Sequence, residues 1–383
     1  MAETYSDDTG WWELEGNFGA GGHMVVMEAV SVSPAIRVFE LTNGSRVHGY
    51  REVFPMASDL DVTFAWEFQA DSSYGPAFSL LDRLMATESQ FSAMIPGIDL
   101  MPLEVNWSLQ NTQLVGNDAL GHIGNTHWDA DARVLHVLGD VDTDADHWDD
   151  HVLIHEWVHY LEDSLGIRNS PGGEHSLNDF VDPRLAFSEG LANGLSGALL
   201  NDPAYRDTSG SGGQQVWVNY LENSLHSLRG FGSERSIQEI IYDLCDTDND
   251  DPIDGKMNLV FETLLQMKRD RVPVISIHSF AHVFQSLYPD EPLHSLLNAQ
   301  KIAGGDIWGS LEEKLPSFYE DPDKFLPVIP ELFMRQPLEL HFRGKRNYRD
   351  HGHLYGQIRL ARIRGKGETV EFRFLGQGGH RWK

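Results

Sequence analysis

The segment at residues 147–163, HWDDHVLIHEWVHYLED, places a histidine at every fourth position: 147, 151, 155 and 159. Residues four apart lie on one face of an α-helix with a drift of about 40° per step, so the first and last histidines point about 120° apart. Only neighbouring histidines in this series can therefore bind the same metal ion. The series predicts a metal-binding helix with three candidate histidine pairs.

The residue that follows the first histidine of each pair distinguishes the three pairs. Glu156 follows His155, whereas Trp148 and Val152 follow the two earlier histidines and cannot accept a proton. The pattern H-E-x-x-H on a helix joins two imidazole ligands to a carboxylate that can act as a general base. We therefore predict that His155 and His159 bind a metal ion. Zinc is favoured because it prefers tetrahedral sites with nitrogen and oxygen ligands. A surface helix with fortuitous histidines is the alternative.

A catalytic zinc site requires a third protein ligand. The longer pattern H-E-x-x-H-x-x-G-x-x-H is excluded, because Glu162 and Leu165 stand at its glycine and last histidine positions. A second predicted helix at 184–200, RLAFSEGLANGLSGALL, carries Glu189 among small and apolar residues. A carboxylate in such a setting is costly unless it is paired or bound to a metal, so Glu189 is the preferred third ligand. Two alternatives stay open: Glu162 as a ligand at strained geometry, and Glu189 as a solvent-facing residue.

Three segments, HEWVHYLEDSL, GGEHSLNDFVDPRLAFSEGLANGLSG and NDPAYRD, together resemble the gluzincin metallopeptidases, and in particular a group of mostly uncharacterised bacterial proteins. The resemblance covers about residues 100–290. It implies an α+β fold, with a zincin-like core whose active-site half is mainly helical. It also implies one zinc ion bound by His155, His159 and Glu189, with Asn193 one turn after Glu189 supporting a ligand histidine. A buried structural amide is the alternative for Asn193.

The same resemblance implies zinc-dependent hydrolysis of peptide bonds by a metal-activated water, with Glu156 as general base. Tyr242, on a later predicted helix, is the first candidate to stabilise the developing oxyanion; a half-buried core tyrosine is the alternative. Val158 stands where glycine is usual in that family. This departure favours the alternative function, a non-catalytic peptide- or protein-binding module on a zincin scaffold. The strand RVLHVLGD, just before the histidine series, is expected to bind the peptide or protein substrate as an edge strand.

Other histidines and acidic runs are expected to have supporting roles. The remaining histidines of interest are expected in the core, at the surface or along a cleft: His147, His151, His175, His278 and His282. The acidic runs DVDTDADHWDDH, from residue 140, and DTDNDDPIDGKM, from residue 246, lack the glycine and glutamate of an EF-hand. An irregular structural Ca²⁺ site stays open there, beside the alternative of solvated acids that cap helices.

Charge and hydrophobic patterning divide the chain. Residues 335–383 hold 12 of the 29 lysines and arginines, although the whole chain has a net charge of −29. Alternating apolar segments predict a β-rich N-terminal segment at 1–72, a zincin-like catalytic domain at 73–330 and a small basic β-rich module at 331–383.

The composition also bounds partners and location. The acidic charge argues against a nucleic-acid partner, and the single cysteine, Cys245, excludes a disulfide framework. No apolar run reaches the length of a transmembrane helix. The first residues lack the features of a signal peptide, and an extracytoplasmic location stays open if a signal was removed. Oligomeric state and compartment are not predicted.

Overall fold

The computed structural model describes residues 23–56, 67–70, 72–173, 175–222, 226–247, 251–272 and 274–304, together with residues 4, 11 and 13. The basic module predicted at 331–383 lies outside these residues. The described part of the chain is a mixed α+β structure with seven α-helices and several small sheets.

The helices are α1 (Gly75–Met94), α2 (Asp150–Leu165), α3 (Pro183–Leu200), α4 (Glu234–Cys245), α5 (Met257–Asp270), α6 (Ile277–Leu287) and α7 (Leu293–Ala299). The strands are β1 (His23–Val30), β2 (Ile36–Glu40), β3 (Arg46–Val47), β4 (Gly49–Met56), β5 (Leu103–Trp107), β6 (Val115–Asn117), β7 (His122–Ile123), β8 (His127–Asp129), β9 (Val134–Val137), β10 (Ala204–Ser209) and β11 (Gln215–Tyr220).

The largest sheet has five strands in the order β3-β2-β5-β9-β8. Strands β2, β5 and β9 run parallel, and β8 is antiparallel to β9 at one edge. The sheet thus combines β2 and β3, from the predicted N-terminal segment 1–72, with β5, β8 and β9, from the predicted domain 73–330. The prediction that RVLHVLGD forms the edge strand is wrong, because β9 lies between β5 and β8. The tight turn that joins β8 to β9 lets the short β8 fold back beside β9 and occupy the edge.

Helix α2 packs against the sheet through its apolar face. Trp128 of β8 is buried and makes an edge-to-face contact with Tyr160, at 5.4 Å between ring centroids. The helix ends at Gly166, which adopts the left-handed conformation with φ of 67°. Its N–H donates to the carbonyl groups of the last turn, as expected for a glycine after a helix C-terminus. Helix α3 begins with Pro183 after Asp182, whose side chain accepts from the N–H of Arg184.

Helices α3 and α4 approach each other closely because α3 has glycines at the contact. A Cβ atom added at Gly190 would lie 2.6 Å from Cβ of Ile237, and one added at Gly194 would lie 2.8 Å from Cβ of Ile241. These separations are too short for real carbon atoms. The glycines therefore permit the contact that brings Glu234, at the start of α4, beside α3.

In the described residues, no helix has both the length and the apolar character needed to cross a bilayer.

The close contact gives a stability prediction for Gly194→Ala. Alanine in place of glycine normally favours a helix by about 1 kcal/mol. Here we expect the opposite sign, because the new methyl group overpacks against Ile241, at a cost of about 1–3 kcal/mol. Urea unfolding of the two proteins measures the difference in free energy of unfolding. A variant as stable as the wild type, or more stable, would contradict the packing argument.

Candidate metal centre

Three side chains predicted to bind a metal ion lie together, two from α2 and one from α3. The Nε2 atoms of His155 and His159 are 3.1 Å apart, and Oε2 of Glu189 lies 3.3 Å and 3.4 Å from them. Ligand atoms about 2.0–2.1 Å from a tetrahedral zinc ion lie about 3.3–3.4 Å from one another. The three atoms therefore have the spacing of three ligands of one metal ion.

The side chain of Asn193 fixes the proton position on His155. Nε2 of Gln238 donates to the backbone carbonyl of Tyr220, at 3.2 Å, so Oε1 of Gln238 faces Asn193. The amide nitrogen of Asn193 donates to this oxygen and to Oε1 of Glu234, at 2.7 Å. Oδ1 of Asn193 must then accept from Nδ1 of His155, at 2.8 Å. In the neutral imidazole, the lone pair of Nε2 is directed towards the metal position.

The carboxylate of Glu162 orients the ring of His159, as the Asn193 amide orients that of His155. Oε2 of Glu162 lies 3.0 Å from Nδ1 of His159 and accepts from Oγ of Ser188 at 2.6 Å. Glu162 is buried, and its distance to Nδ1 makes it a support for a ligand histidine. Such a carboxylate contact orients the imidazole ring and increases its basicity. The structure thus places Glu162 behind His159, on the side away from Glu189.

The Nε2 atoms of His155 and His159 face each other. If both rings are neutral and carry their protons on Nδ1, neither Nε2 can donate a hydrogen bond to the other. This arrangement favours a cation or a shared proton between them. Burial opposes protonation of His159, but the charge of Glu189 and hydrogen bonds with Glu162 and Glu189 raise the pKa of His159 well above its usual value. For Glu189 burial acts in the opposite direction, yet the charge of His159 and three histidine contacts hold its pKa well below the usual range. The pocket thus stabilises positive charge between these groups.

Glu156 lies beside the three ligand atoms and is held from the other side. Its Oε2 accepts from the backbone N–H of Trp128 in β8, at 2.8 Å. Its Oε1 lies 3.9 Å from Nε2 of His155. One oxygen is therefore anchored to the edge strand, and the other is turned towards the metal position.

Two further groups reach the centre. Nε2 of His175 lies 3.5 Å from Oε2 of Glu189 and 3.6 Å from Oε2 of Glu234. The hydrogen bond with Glu189 outweighs burial and raises the pKa of His175 to about 9. Burial, followed by the charge of Glu189, raises the pKa of Glu234. His175 agrees with its expected place along the cleft, whereas nothing in the sequence distinguished Glu234 from the other acids of the chain.

Tyr242 and Tyr205 have different positions relative to this centre. Tyr242 is buried and packs with Val152, Tyr205 and Leu221. It lies eight residues after Glu234, about 12 Å further along the axis of α4. The ring of Tyr205, on β10, lies 6.1 Å from the ring of His155. Burial, reinforced by the charge of Glu156, raises the pKa of Tyr205 well above its usual value. The ring of Tyr205 thus lies beside a candidate ligand histidine, and the role predicted for Tyr242 stays a prediction.

Three other histidines have structural surroundings: His147 just before α2, His151 in α2 and His278 in α6. His147 is buried with its ring 5.3 Å from that of Trp107, and Nε2 of His151 lies 3.2 Å from the carbonyl of Asp202. His278 is buried beside Phe231. Their positions agree with the core and supporting roles expected for them.

A second histidine group lies on strands β8 and β9: His127, Asp129 and His136. Oδ1 of Asn106 accepts from the N–H of Leu41 at 3.0 Å, so its amide nitrogen faces Nδ1 of His136, also at 3.0 Å. Nδ1 therefore accepts, and the neutral ring carries its proton on Nε2. His136 thus carries its proton on Nε2, the reverse of the tautomer of His155.

No protein-family model matches the chain, and no curated protein matches it. The resemblance to gluzincins stays a prediction. The structure itself supports groups of histidine and acidic side chains at metal-binding distance.

The opposite orientation of the two amides gives a matched pair of variants. We expect Asn193→Ala to weaken zinc binding by about 10–100-fold, because His155 loses the acceptor that fixes its tautomer. Asn106→Ala removes a buried amide next to the other histidine group and should leave the zinc affinity unchanged. Competition with a chromophoric chelator measures both affinities. Equal effects of the two substitutions would contradict the role of Asn193.

Proposed function

We propose that this chain is a zinc-dependent peptide hydrolase with a zincin-like core. The observation that carries the proposal is the convergence of two oriented imidazole nitrogens and the Glu189 carboxylate, with Glu156 beside them. Closed structural zinc sites use four protein ligands, whereas three ligands and an adjacent carboxylate are typical of catalytic sites. The parallel sheet with an antiparallel edge strand over α2 agrees with a zincin-like arrangement.

The residues of the centre have distinct roles in this mechanism. His155, His159 and Glu189 would hold the ion, which lowers the pKa of a water molecule and polarises the carbonyl group to be cleaved. Glu156 takes the proton of the attacking water and delivers it to the leaving amine. The Trp128 N–H keeps Glu156 in place through both transfers. Asn193 and Glu162 keep the two imidazole rings oriented.

A hairpin beside the centre supports a peptide as the substrate. Strand β11 pairs with β10 alone among the described strands, and its side chains Val216, Trp217 and Tyr220 are exposed. An exposed strand edge with apolar side chains can bind an extended peptide through main-chain hydrogen bonds. Strand β8 is less suited to this role, because the N–H of Trp128 is already bonded to Glu156.

Val158 does not favour the alternative of a non-catalytic binding module. Its side chain is fully buried in the main hydrophobic core, with Leu161 and Ile154 in the same cluster. The replacement of glycine at this position therefore affects packing in the core beneath α2, and the three atoms of the centre still converge.

The decisive variant is Glu156→Gln. The glutamine carbonyl can still accept from the Trp128 N–H, so the side chain keeps its anchor but cannot take a proton. We expect zinc content and melting temperature to stay unchanged, and peptide cleavage to fall by about 10²–10⁴-fold. The exposed Glu28→Gln in β1 is the control with the same charge change. Full cleavage by the zinc-loaded Glu156→Gln protein would exclude the mechanism, and a zinc-loaded wild type without activity on a peptide library would favour the binding module.

Tyr205→Phe and Tyr242→Phe together identify the group that stabilises the oxyanion. Loss of one donor to an oxyanion typically lowers kcat by about 10²–10³-fold. We expect this loss for Tyr205→Phe, with KM and zinc content nearly unchanged, and a much smaller effect for Tyr242→Phe. Steady-state kinetics on one peptide substrate compares them. The reverse order would restore the role predicted for Tyr242.

A further inference from the structure

A group of three carboxylates lies beside the start of α2, away from the histidine centre. Asp144 and Asp146 belong to the loop before α2, and Asp207 belongs to β10. One oxygen of each lies within 4.8 Å of an oxygen of the others. Among the ion pairs of the described residues, none involves any of the three.

Two of these carboxylates keep oxygens that are buried and have no partner. Asp146 is only 4% exposed, and its Oδ1 accepts no hydrogen bond from the protein. Oδ1 of Asp144 is also buried without a partner, although its Oδ2 accepts from Nε2 of Gln113. Burying an unpaired carboxylate oxygen is strongly unfavourable unless a proton or a cation compensates its charge.

Nearby acids add negative charge to this group. Asp149 is buried, but both its oxygens accept from the N–H and hydroxyl groups of Thr208, so it is already satisfied.

We propose that Asp144, Asp146 and Asp207 bind a structural Ca²⁺ ion, which joins the loop before α2 to the β10–β11 hairpin. The ligands are all carboxylate oxygens, which hard cations prefer. Zinc is disfavoured here, because it binds better to sites that include imidazole or thiolate ligands. Calcium tolerates irregular geometry and completes its shell with water or backbone oxygens, whereas magnesium demands a near-ideal octahedron. Three carboxylates from two separate segments make such an irregular set.

In this proposal the acidic run from residue 140 does not bind the ion in the way that an EF-hand loop does. The side chain of Asp140 accepts from the N–H of Asp142 and the hydroxyl of Thr143, and so closes the turn. Asp142 is exposed. The ligand from outside the loop is Asp207, more than sixty residues later, which the spacing of the run could not indicate.

The ion has a consequence for the histidine centre. Tyr205 and Asp207 are two residues apart on β10, so their side chains lie on the same face of the strand. The ring of Tyr205 contacts those of His151 and His155. A cation at Asp207 would hold the hairpin against α2 and fix the position of Tyr205. Calcium binding and its effect on stability can be measured whether or not the chain cleaves peptides.

The experiment uses the full chain, stripped of metals and reloaded with one equivalent of zinc. CaCl₂ is then added, with MgCl₂ and additional ZnCl₂ in parallel arms, and calorimetric binding and melting temperature are recorded. We expect calcium to bind and to raise the melting temperature by several degrees, more than either other ion. Hydrogen exchange should slow at residues 140–149 and 204–220 on addition of calcium.

Three variants locate the ion. Asp146→Asn and Asp207→Asn should weaken calcium binding by about tenfold or more, because ligand charge sets the affinity of oxygen sites. Asp142→Asn makes the same charge change on an exposed side chain of the same loop and should respond as the wild type. If Asp146→Asn does not fold, Asp207→Asn, in the hairpin, decides the question. No calcium response in the wild type, an equal response in all three variants, or a larger response to zinc would overturn the proposal.

Discussion

The candidate metal centre depends on where one proton lies on His155. That proton is positioned by a chain of amide contacts that begins at the backbone carbonyl of Tyr220 and passes through Gln238 and Asn193. A backbone carbonyl can only accept, so every later group in the chain has a fixed orientation. The lone pair that a metal needs is therefore determined by residues on α3 and α4. The same residue types at Asn106 and His136 produce the opposite tautomer, because there the amide oxygen is used by the N–H of Leu41.

The close packing of α3 on α4 makes this chain of contacts possible. Gly190 and Gly194 lie on the contact face of α3, and Glu189 and Asn193 immediately precede them in the sequence. The glycines of this segment allow the close approach of α4, and Glu189 and Asn193 use that approach to contact the groups of the centre. Without the short distance between the helices, Gln238 could not reach Asn193, and Glu234 would not lie beside His175.

Periodicity and motif spacing predicted the helices that carry the histidine series and Glu189. They also predicted the grouping of His155, His159 and Glu189, because it depends on local geometry and on the cost of a carboxylate in an apolar helix. The sequence did not predict which tyrosine lies near His155, since Tyr205 reaches it through the pairing of a hairpin distant in sequence. It also misplaced the edge strand, because the short β8 carries little hydrophobic pattern. The proximity of Asp207 to the acidic loop depends on tertiary contacts, which the spacing of the run could not indicate.

Glu189 and His159 are separated by thirty residues, and the intervening segment 166–182 contributes no helix or strand of its own among the described residues. A metal ion bound to both side chains would close this segment into a loop. Cross-links of this kind reduce the conformational entropy of the unfolded chain and couple metal binding to folding. In a cell, the supply of metal would then determine how long the chain stays open to proteases.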